Sequence, residues 1–212
     1  RSPTGPWANE VPPSSGDIVT SAEGEFEVLH ATRVRGFATA EQIATSTGLQ
    51  IPLIEQRLTD AAESGFVKQR SGRISGARLT PAGRARLLLL TEKEVGEAER
   101  AGLAGAYDAF LAPNREFKAL TTQWQSDKDL DRVLAGLDRI HGEVERILGD
   151  ASASSARFGN YQRRFDDALA RFRGGDESAL ARPMSESYHD VWMELHEDLL
   201  ATLGRQRGDH DE

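Results

Sequence analysis

The 212-residue sequence contains no cysteine. This absence excludes disulfide bonds, thiolate zinc sites, a cysteine nucleophile and a cysteine-based redox sensor. Long apolar runs are also missing: the longest aliphatic run, Leu87 to Leu90, is far shorter than the roughly 20 residues of a membrane-spanning helix. No apolar segment typical of a secretory signal follows Arg1, and a start without Met indicates a trimmed product or a fragment. We therefore expect a cytoplasmic protein with no membrane partner.

Motifs of familiar active sites are missing as well. Gly174-Gly175 has no predicted strand before it and no Lys-Ser/Thr after it, so it is not a phosphate-binding loop. The sequence has no G-x-S-x-G nucleophile motif. His189 and His196 are seven residues apart, about 10.5 Å along a helix, which is too far for two ligands of one zinc ion. We predict no enzymatic activity, no cofactor and no metal.

Charge is unevenly distributed along the chain, whose formal net charge is −8. Between His30 and Leu90, nine basic and four acidic residues give a local charge of +5, so the rest of the chain carries −13. A basic segment within an acidic protein indicates a local contact with a polyanion. The alternative is that a segment of this length reaches +5 by chance.

The patterning predicts a mainly α-helical fold in four parts. Residues 1–20 are rich in proline, serine and glycine and are predicted to be a flexible arm. Residues 21–91 predict a winged helix-turn-helix domain, residues 92–205 an all-helical dimerisation or effector region, and residues 206–212 a charged tail. The 38% hydrophobic content, together with 20 glycines, is sufficient for a packed core.

Capping and turn signals divide the winged-helix segment. We predict a first helix from Ser21 to Val34, a second capped by Thr39 with Gln42 in a capping box, and a third from Pro52 to Gly65. A two-stranded hairpin with a basic tip is predicted over 66–79. Thr80-Pro81 then opens a helix that we expect to run to about Glu99.

The C-terminal part shows helical periodicity throughout. Pro113 is predicted to stop a short helix and Asn114 to cap the next. An amphipathic helix is predicted over 129–148, followed by a loop over 149–155. Aromatic residues mark a further helix that ends at Gly174, and a last helix is predicted over 185–203.

The N-terminal segment resembles the MarR family of bacterial winged-helix transcriptional regulators. The residues that carry the resemblance are Ala40-Glu41-Gln42-Ile43-Ala44 with Gly48-Leu49, Ile54 and Leu58 with Glu63-Ser64-Gly65-Phe66-Val67, and Leu79-Thr80-Pro81-Ala82-Gly83-Arg84. The last run is the most specific of these motifs. The resemblance covers about 70 residues, a third of the chain.

The resemblance implies a dimeric, ligand-responsive repressor that binds double-stranded DNA. A helix over 51–64 would read the major groove, with Gln56 facing adenine and Arg57 facing guanine, and the 66–80 wing would contact phosphates. The implied DNA-binding residues are Gln50, Leu53, Gln56, Arg57, Asp60, Lys68, Arg70, Arg73, Arg78, Arg33 and Arg35. The residues of a small-molecule effector pocket would be Tyr107, Phe158, Tyr161, Phe165 and Trp192, for which ordinary core packing is the alternative.

The predicted recognition helix departs from the usual basic pattern. Glu55, Asp60 and Glu63 outnumber Arg57, the one basic residue of this helix. This balance shifts the expected DNA contact toward the wing. Two alternative functions stay open: a winged-helix module that binds protein instead of DNA, and a small-molecule-binding protein whose helical half carries the activity.

Overall fold

The computed structural model describes residues 23–72 and 75–205. Its elements in chain order are α1 (Glu25–Arg35), α2 (Ala40–Thr47), α3 (Ile51–Glu63), β1 (Val67–Arg70), β2 (Gly76–Leu79), α4 (Pro81–Glu94), α5 (Glu97–Asp127), α6 (Leu130–Ser154), a 3-10 turn (Ala156–Phe158), α7 (Gly159–Arg173), α8 (Ser178–Ala181) and α9 (Tyr188–Leu203). The fold is therefore mainly helical with one small two-stranded sheet, as expected. Among the described helices, none is both long and apolar enough to cross a membrane.

Local capping chemistry sets the boundaries of the first helices. Thr39 and Gln42 form the predicted capping box at the start of α2, and Gly48 ends that helix in a left-handed conformation. The predicted start of α1 is wrong: the helix begins at Glu25 with Gly24 as its N-cap. Ser21, the predicted cap, lies outside the described residues.

The two strands form an antiparallel hairpin. Val67 pairs with Leu79, Lys68 with Arg78, Gln69 with Ala77 and Arg70 with Gly76. An isolated bridge joins Ala77 to Ala38, in the short connection between α1 and α2. The hairpin is therefore attached to the N-terminal helices by backbone hydrogen bonds as well as by side chains.

The long helix α5 contradicts the prediction that Pro113 stops a helix and Asn114 caps another. Both residues lie inside α5 and are buried. The indole Nε1 of Trp192 donates to Asn114 Oδ1 at 2.8 Å, and Phe110 and Phe117 pack on the same indole ring. These tertiary contacts outweigh the local cost of a proline within the helix.

Two further boundaries differ from the prediction. The helix that follows the hairpin ends at Glu94, not near Glu99, because Val95 adopts an extended conformation. The predicted loop over 149–155 is mostly helical, since α6 continues to Ser154. Burial of Ala151 in the core favours this extra turn over a loop.

The hydrophobic core is divided at the start of α5. Two apolar clusters join α1–α4 with the hairpin, between Phe26 and Val95. A third, larger cluster joins α5, α6, α7 and α9, between Leu103 and Leu200. Buried polar contacts, described below, connect α1 to α7 and α9.

Candidate nucleic-acid interface

The exposed face of the hairpin carries two basic residues opposite each other. Lys68 and Arg78 are direct cross-strand partners, and both are exposed. Like charges in this position destabilise a hairpin unless something neutralises them. Neither side chain forms an ion pair with another described residue. Arg70 is also exposed at the end of β1, whereas the predicted contact Arg73 lies outside the described residues.

A cavity of about 660 Å³, called the basic groove below, lies beside this pair, between the hairpin, the end of α1 and the start of α4. Its lining residues are Thr32, Arg33, Gly36, Lys68, Arg78, Leu79, Thr80, Pro81 and Arg84. Four of these are cationic, and none is acidic. Arg33 also pairs with Glu197 on α9 at 2.5 Å, so part of its charge is already neutralised.

The Leu79–Arg84 motif holds the start of α4 against the hairpin beside this groove. The Thr80 hydroxyl accepts a hydrogen bond from Gly83 N at 3.0 Å and donates to Gly65 O at 2.6 Å. A Cβ at Gly83 would lie 1.9 Å from the carbonyl oxygen of Phe66, so only glycine allows α4 to approach the hairpin this closely. The motif thereby fixes the start of α4 and places Arg84 in the groove.

The predicted recognition helix α3 has its polar residues engaged with each other. Arg57 pairs with Asp60 at 2.9 Å, and the amide of Gln56 donates to the same carboxylate at 2.8 Å. Glu55 and Glu63 are exposed on this helix. Within the chain, Asp60 therefore competes with any base for both Gln56 and Arg57.

The remaining predicted contacts of α3 differ in exposure. Gln50 is exposed and precedes the helix as its N-cap residue. Leu53 is half-buried and packs near Gly24, since a Cβ at that glycine would lie 3.4 Å from Leu53 Cδ2. Leu53 therefore contributes to packing between α3 and the start of α1.

Arg35, one of the implied DNA contacts, is largely buried and already paired within the chain. Its side chain is only 6% exposed and pairs with Glu186 at 2.8 Å. Its Nε donates to Ser46 Oγ at 2.8 Å. The side chain therefore lies in the interior, which argues against the implied contact of Arg35 with the DNA backbone.

Glu186 and Glu194 share two arginines from different helices. Arg164 on α7 pairs with Glu186 at 2.9 Å and with Glu194 at 2.8 Å, and Arg35 pairs with Glu186. Burial alone would raise the pKa of Glu186, but the hydrogen bond from Arg35 and the charge of Arg164 lower it. Burial raises the pKa of Glu194 despite the same two cations. This network joins α1 to α7 and α9.

A second buried network surrounds Asp198 on α9. His30 Nε2 lies 2.7 Å from Asp198 Oδ1, and the Tyr161 hydroxyl donates to Oδ2 at 2.9 Å. Arg157 lies 3.5 Å from Oδ1. Burial opposes ionisation, but His30, Arg157 and these hydrogen bonds hold the pKa of Asp198 well below its ordinary value. Burial and the neighbouring carboxylates raise the pKa of Tyr161, so its hydroxyl stays protonated.

The five residues of the predicted effector pocket are all buried in the third apolar cluster. Phe165 packs against Trp192 with ring centroids 6.1 Å apart, and Phe158 stacks on Tyr161 at 6.0 Å. Tyr107 stacks on His196. Tyr161 also lines a small cavity of about 50 Å³ beside Asp198. These contacts are those of a packed core, and the effector pocket stays a prediction.

Sequence reasoning omitted two sets of residues from the site. Arg84 appeared only within a motif, although it lines the groove with the hairpin cations. The position of Arg84 in the first turn of the helix after the hairpin was the sequence signal that could have placed it beside the hairpin cations. Glu186, Glu194 and Asp198 gave no signal, because their partners lie on distant helices. Comparisons with protein-family models, curated proteins and solved structures found no match to this chain.

Proposed function

We propose that this chain is a winged helix-turn-helix regulator that binds double-stranded DNA. The order of α1, the bridge at Ala38, α2, α3 and the hairpin supports this assignment. In such a domain the helix after the turn faces the major groove and the hairpin follows the backbone. The order of the elements supports the winged-helix arrangement, and the positive charges of the hairpin and groove support DNA as the ligand.

The pair Lys68 and Arg78 carries the proposal. Two cations held opposite each other on an exposed strand pair cost stability, and a phosphate between them would remove that cost. Arg84 adds a third positive charge in the same groove. This arrangement suits a phosphate backbone better than it suits a neutral ligand.

The hairpin, rather than α3, provides most of the proposed affinity. Binding to phosphates releases counterions, so affinity falls steeply as salt rises. Sequence selectivity would come from Gln56 and Arg57 once they leave Asp60 for base edges. The homodimer, with half-sites about 34 Å apart, and the repression relieved by a small-molecule effector are part of the same proposal, on the resemblance to MarR-like regulators.

A binding titration tests the proposal. The purified chain is titrated with duplex DNA from upstream of its own coding sequence and with a scrambled duplex, from about 50 to 200 mM salt. We expect tighter binding to the first duplex and a steep loss of affinity with salt for both. Absence of binding to either duplex at the lowest salt would contradict the proposal.

A protein-docking module is the second candidate, and the acidic face of α3 favours it. Asp60 pairs with Gln56 and Arg57, while Glu55 and Glu63 are exposed and form no ion pair with another described residue. Such a face is suited to a basic protein surface. If the chain fails to bind DNA at low salt, this second function accounts for the helix-turn-helix arrangement.

A further inference from the structure

A cluster of three potential metal ligands lies between α6 and α7, away from the basic groove. His141 and Glu145 are four residues apart on α6, and Asp166 lies on α7. His141 Nε2 lies 3.1 Å from Asp166 Oδ1 and 3.7 Å from Glu145 Oε1. One potential ligand atom from each residue lies within 4.8 Å of the other two. The cluster includes neither His189 nor His196.

These separations match the edges of a metal coordination shell. With metal–ligand bonds of about 2.0–2.2 Å, neighbouring ligand atoms lie roughly 3.0–3.5 Å apart in octahedral or tetrahedral geometry. The two distances from His141 Nε2 lie within or close to that range. One imidazole nitrogen and two carboxylates form a ligand set found in zinc sites, with a fourth position left for water.

Tyr188 gives the imidazole a fixed orientation. Its hydroxyl lies 3.2 Å from His141 Nδ1, and its side chain is fully buried. A contact on one ring nitrogen directs the other toward the metal, as in many histidine–metal sites. Outside the cluster, the Gln162 amide donates to Asp166 Oδ1 at 2.9 Å and to Glu145 Oε1 at 3.3 Å, which holds the carboxylates together.

We propose that His141, Glu145 and Asp166 form a binding site for a divalent transition-metal ion of the zinc type. His141 contributes Nε2, and each carboxylate contributes one oxygen. The ion neutralises two carboxylates that lie close together and links α6 to α7. Because α7 also contacts α2 through the Asn160 amide and the Ser46 carbonyl at 3.2 Å, the site lies one helix away from the helix-turn-helix segment. The proposal does not depend on DNA binding.

Calorimetric titration of the full chain with zinc chloride tests the site, with magnesium chloride as the comparison ion. The informative variants are Asp166→Asn and Glu145→Gln, whose side chains are half or more exposed and so leave the fold intact. Asp167→Asn is the matched control, since Asp167 is the exposed neighbour on α7 outside the cluster. His141→Ala is less useful because it also removes the contact of buried Tyr188.

We expect one zinc ion per chain, weaker binding of magnesium, and a melting temperature that rises with zinc in excess. Asp166→Asn and Glu145→Gln should each weaken zinc binding about tenfold or more, while Asp167→Asn should bind as the unchanged chain does. Equal zinc binding in all four proteins would overturn the proposal and assign the ion to another segment, such as the tail with Asp209 and His210. No zinc binding would leave an ordinary cluster of ion pairs and would overturn it as well.

Discussion

His30 on α1 and Asp198 on α9 form a buried pair, with Nε2 and Oδ1 2.7 Å apart. The pair lies where the N-terminal helices meet the C-terminal helices, and Tyr161 and Arg157 complete it. Removing the Asp198 carboxylate would leave the buried groups around it without their hydrogen-bond acceptor. Asp198 is therefore one of the residues that hold α1 against α9.

Asp198→Ala should lower the free energy of unfolding by about 1–3 kcal/mol, because His30 and the Tyr161 hydroxyl would lose their buried hydrogen-bond acceptor. Urea unfolding followed by circular dichroism measures the change. Asp108→Ala is the control, since Asp108 is exposed and its carboxylate lies 3.8 Å from Arg205. A loss for Asp198→Ala no larger than that for the control would contradict this account of the junction.

Asp198 should also make the free energy of unfolding depend on pH in the acidic range. Its pKa in the folded chain lies below the ordinary value of 3.8, so on acidification the unfolded chain takes up a proton before the folded chain does. The contribution of Asp198 is complete above about pH 5 and is lost progressively as pH falls through about 4 and below. The stability difference between the unchanged chain and Asp198→Asn should therefore shrink between about pH 5 and pH 3. A difference that stays constant or grows in this range would show that the carboxylate is not held ionised.

Gly83→Ala should destabilise the chain by about 1–3 kcal/mol, because the added methyl group would overlap the carbonyl oxygen of Phe66. Gly105→Ala provides the matched control in an exposed part of α5, where a Cβ meets no neighbouring atom within 4 Å. The control should gain about 0.5–1 kcal/mol from improved helix propensity. Thermal unfolding of both variants tests the prediction. Equal effects in the two variants would mean that α4 does not need its close approach to the hairpin.

Asp60→Asn should strengthen DNA binding, because it releases Arg57 from its ion pair. The measured quantity is the affinity for the preferred duplex relative to the scrambled one, which should rise if Arg57 then reaches base edges. Glu63→Gln removes the same charge from α3, and no described ion pair involves Glu63. If the two variants gain equally, the general charge of α3 matters and the pairing of Arg57 with Asp60 does not.

Local signals in the sequence predicted the parts of the fold that short-range chemistry decides. Thr39 with Gln42 and Thr80 with Pro81 marked the starts of α2 and α4, and the turn residues around 71–76 marked the hairpin. Pro113 misled the prediction because its cost is local, whereas the bond from Trp192 to Asn114 that retains the helix is tertiary. A single sequence does not reveal which distant indole reaches that amide.

The candidate site was predictable to the same extent. Lys68, Arg70 and Arg78 were implied as DNA contacts by the resemblance to the MarR family, and the structure places all three on the surface. Arg35 was among the implied DNA contacts, and nothing in the neighbouring sequence indicated its pairing with Glu186, which is 151 residues away. The His141–Glu145 spacing on α6 was visible in the sequence, but Asp166 joins them only through helix packing.

The salt dependence of DNA binding by a Lys68→Ala/Arg78→Ala double variant tests the central claim most directly. The slope of log affinity against log salt is negative, and each lost phosphate contact should reduce its magnitude by about 1. We therefore expect the magnitude of the slope to fall by about 2 for every duplex alike. Arg146→Ala/Arg163→Ala removes two exposed arginines from α6 and α7 and should leave the slope unchanged. Equal slopes for the two double variants would contradict a phosphate contact by the hairpin.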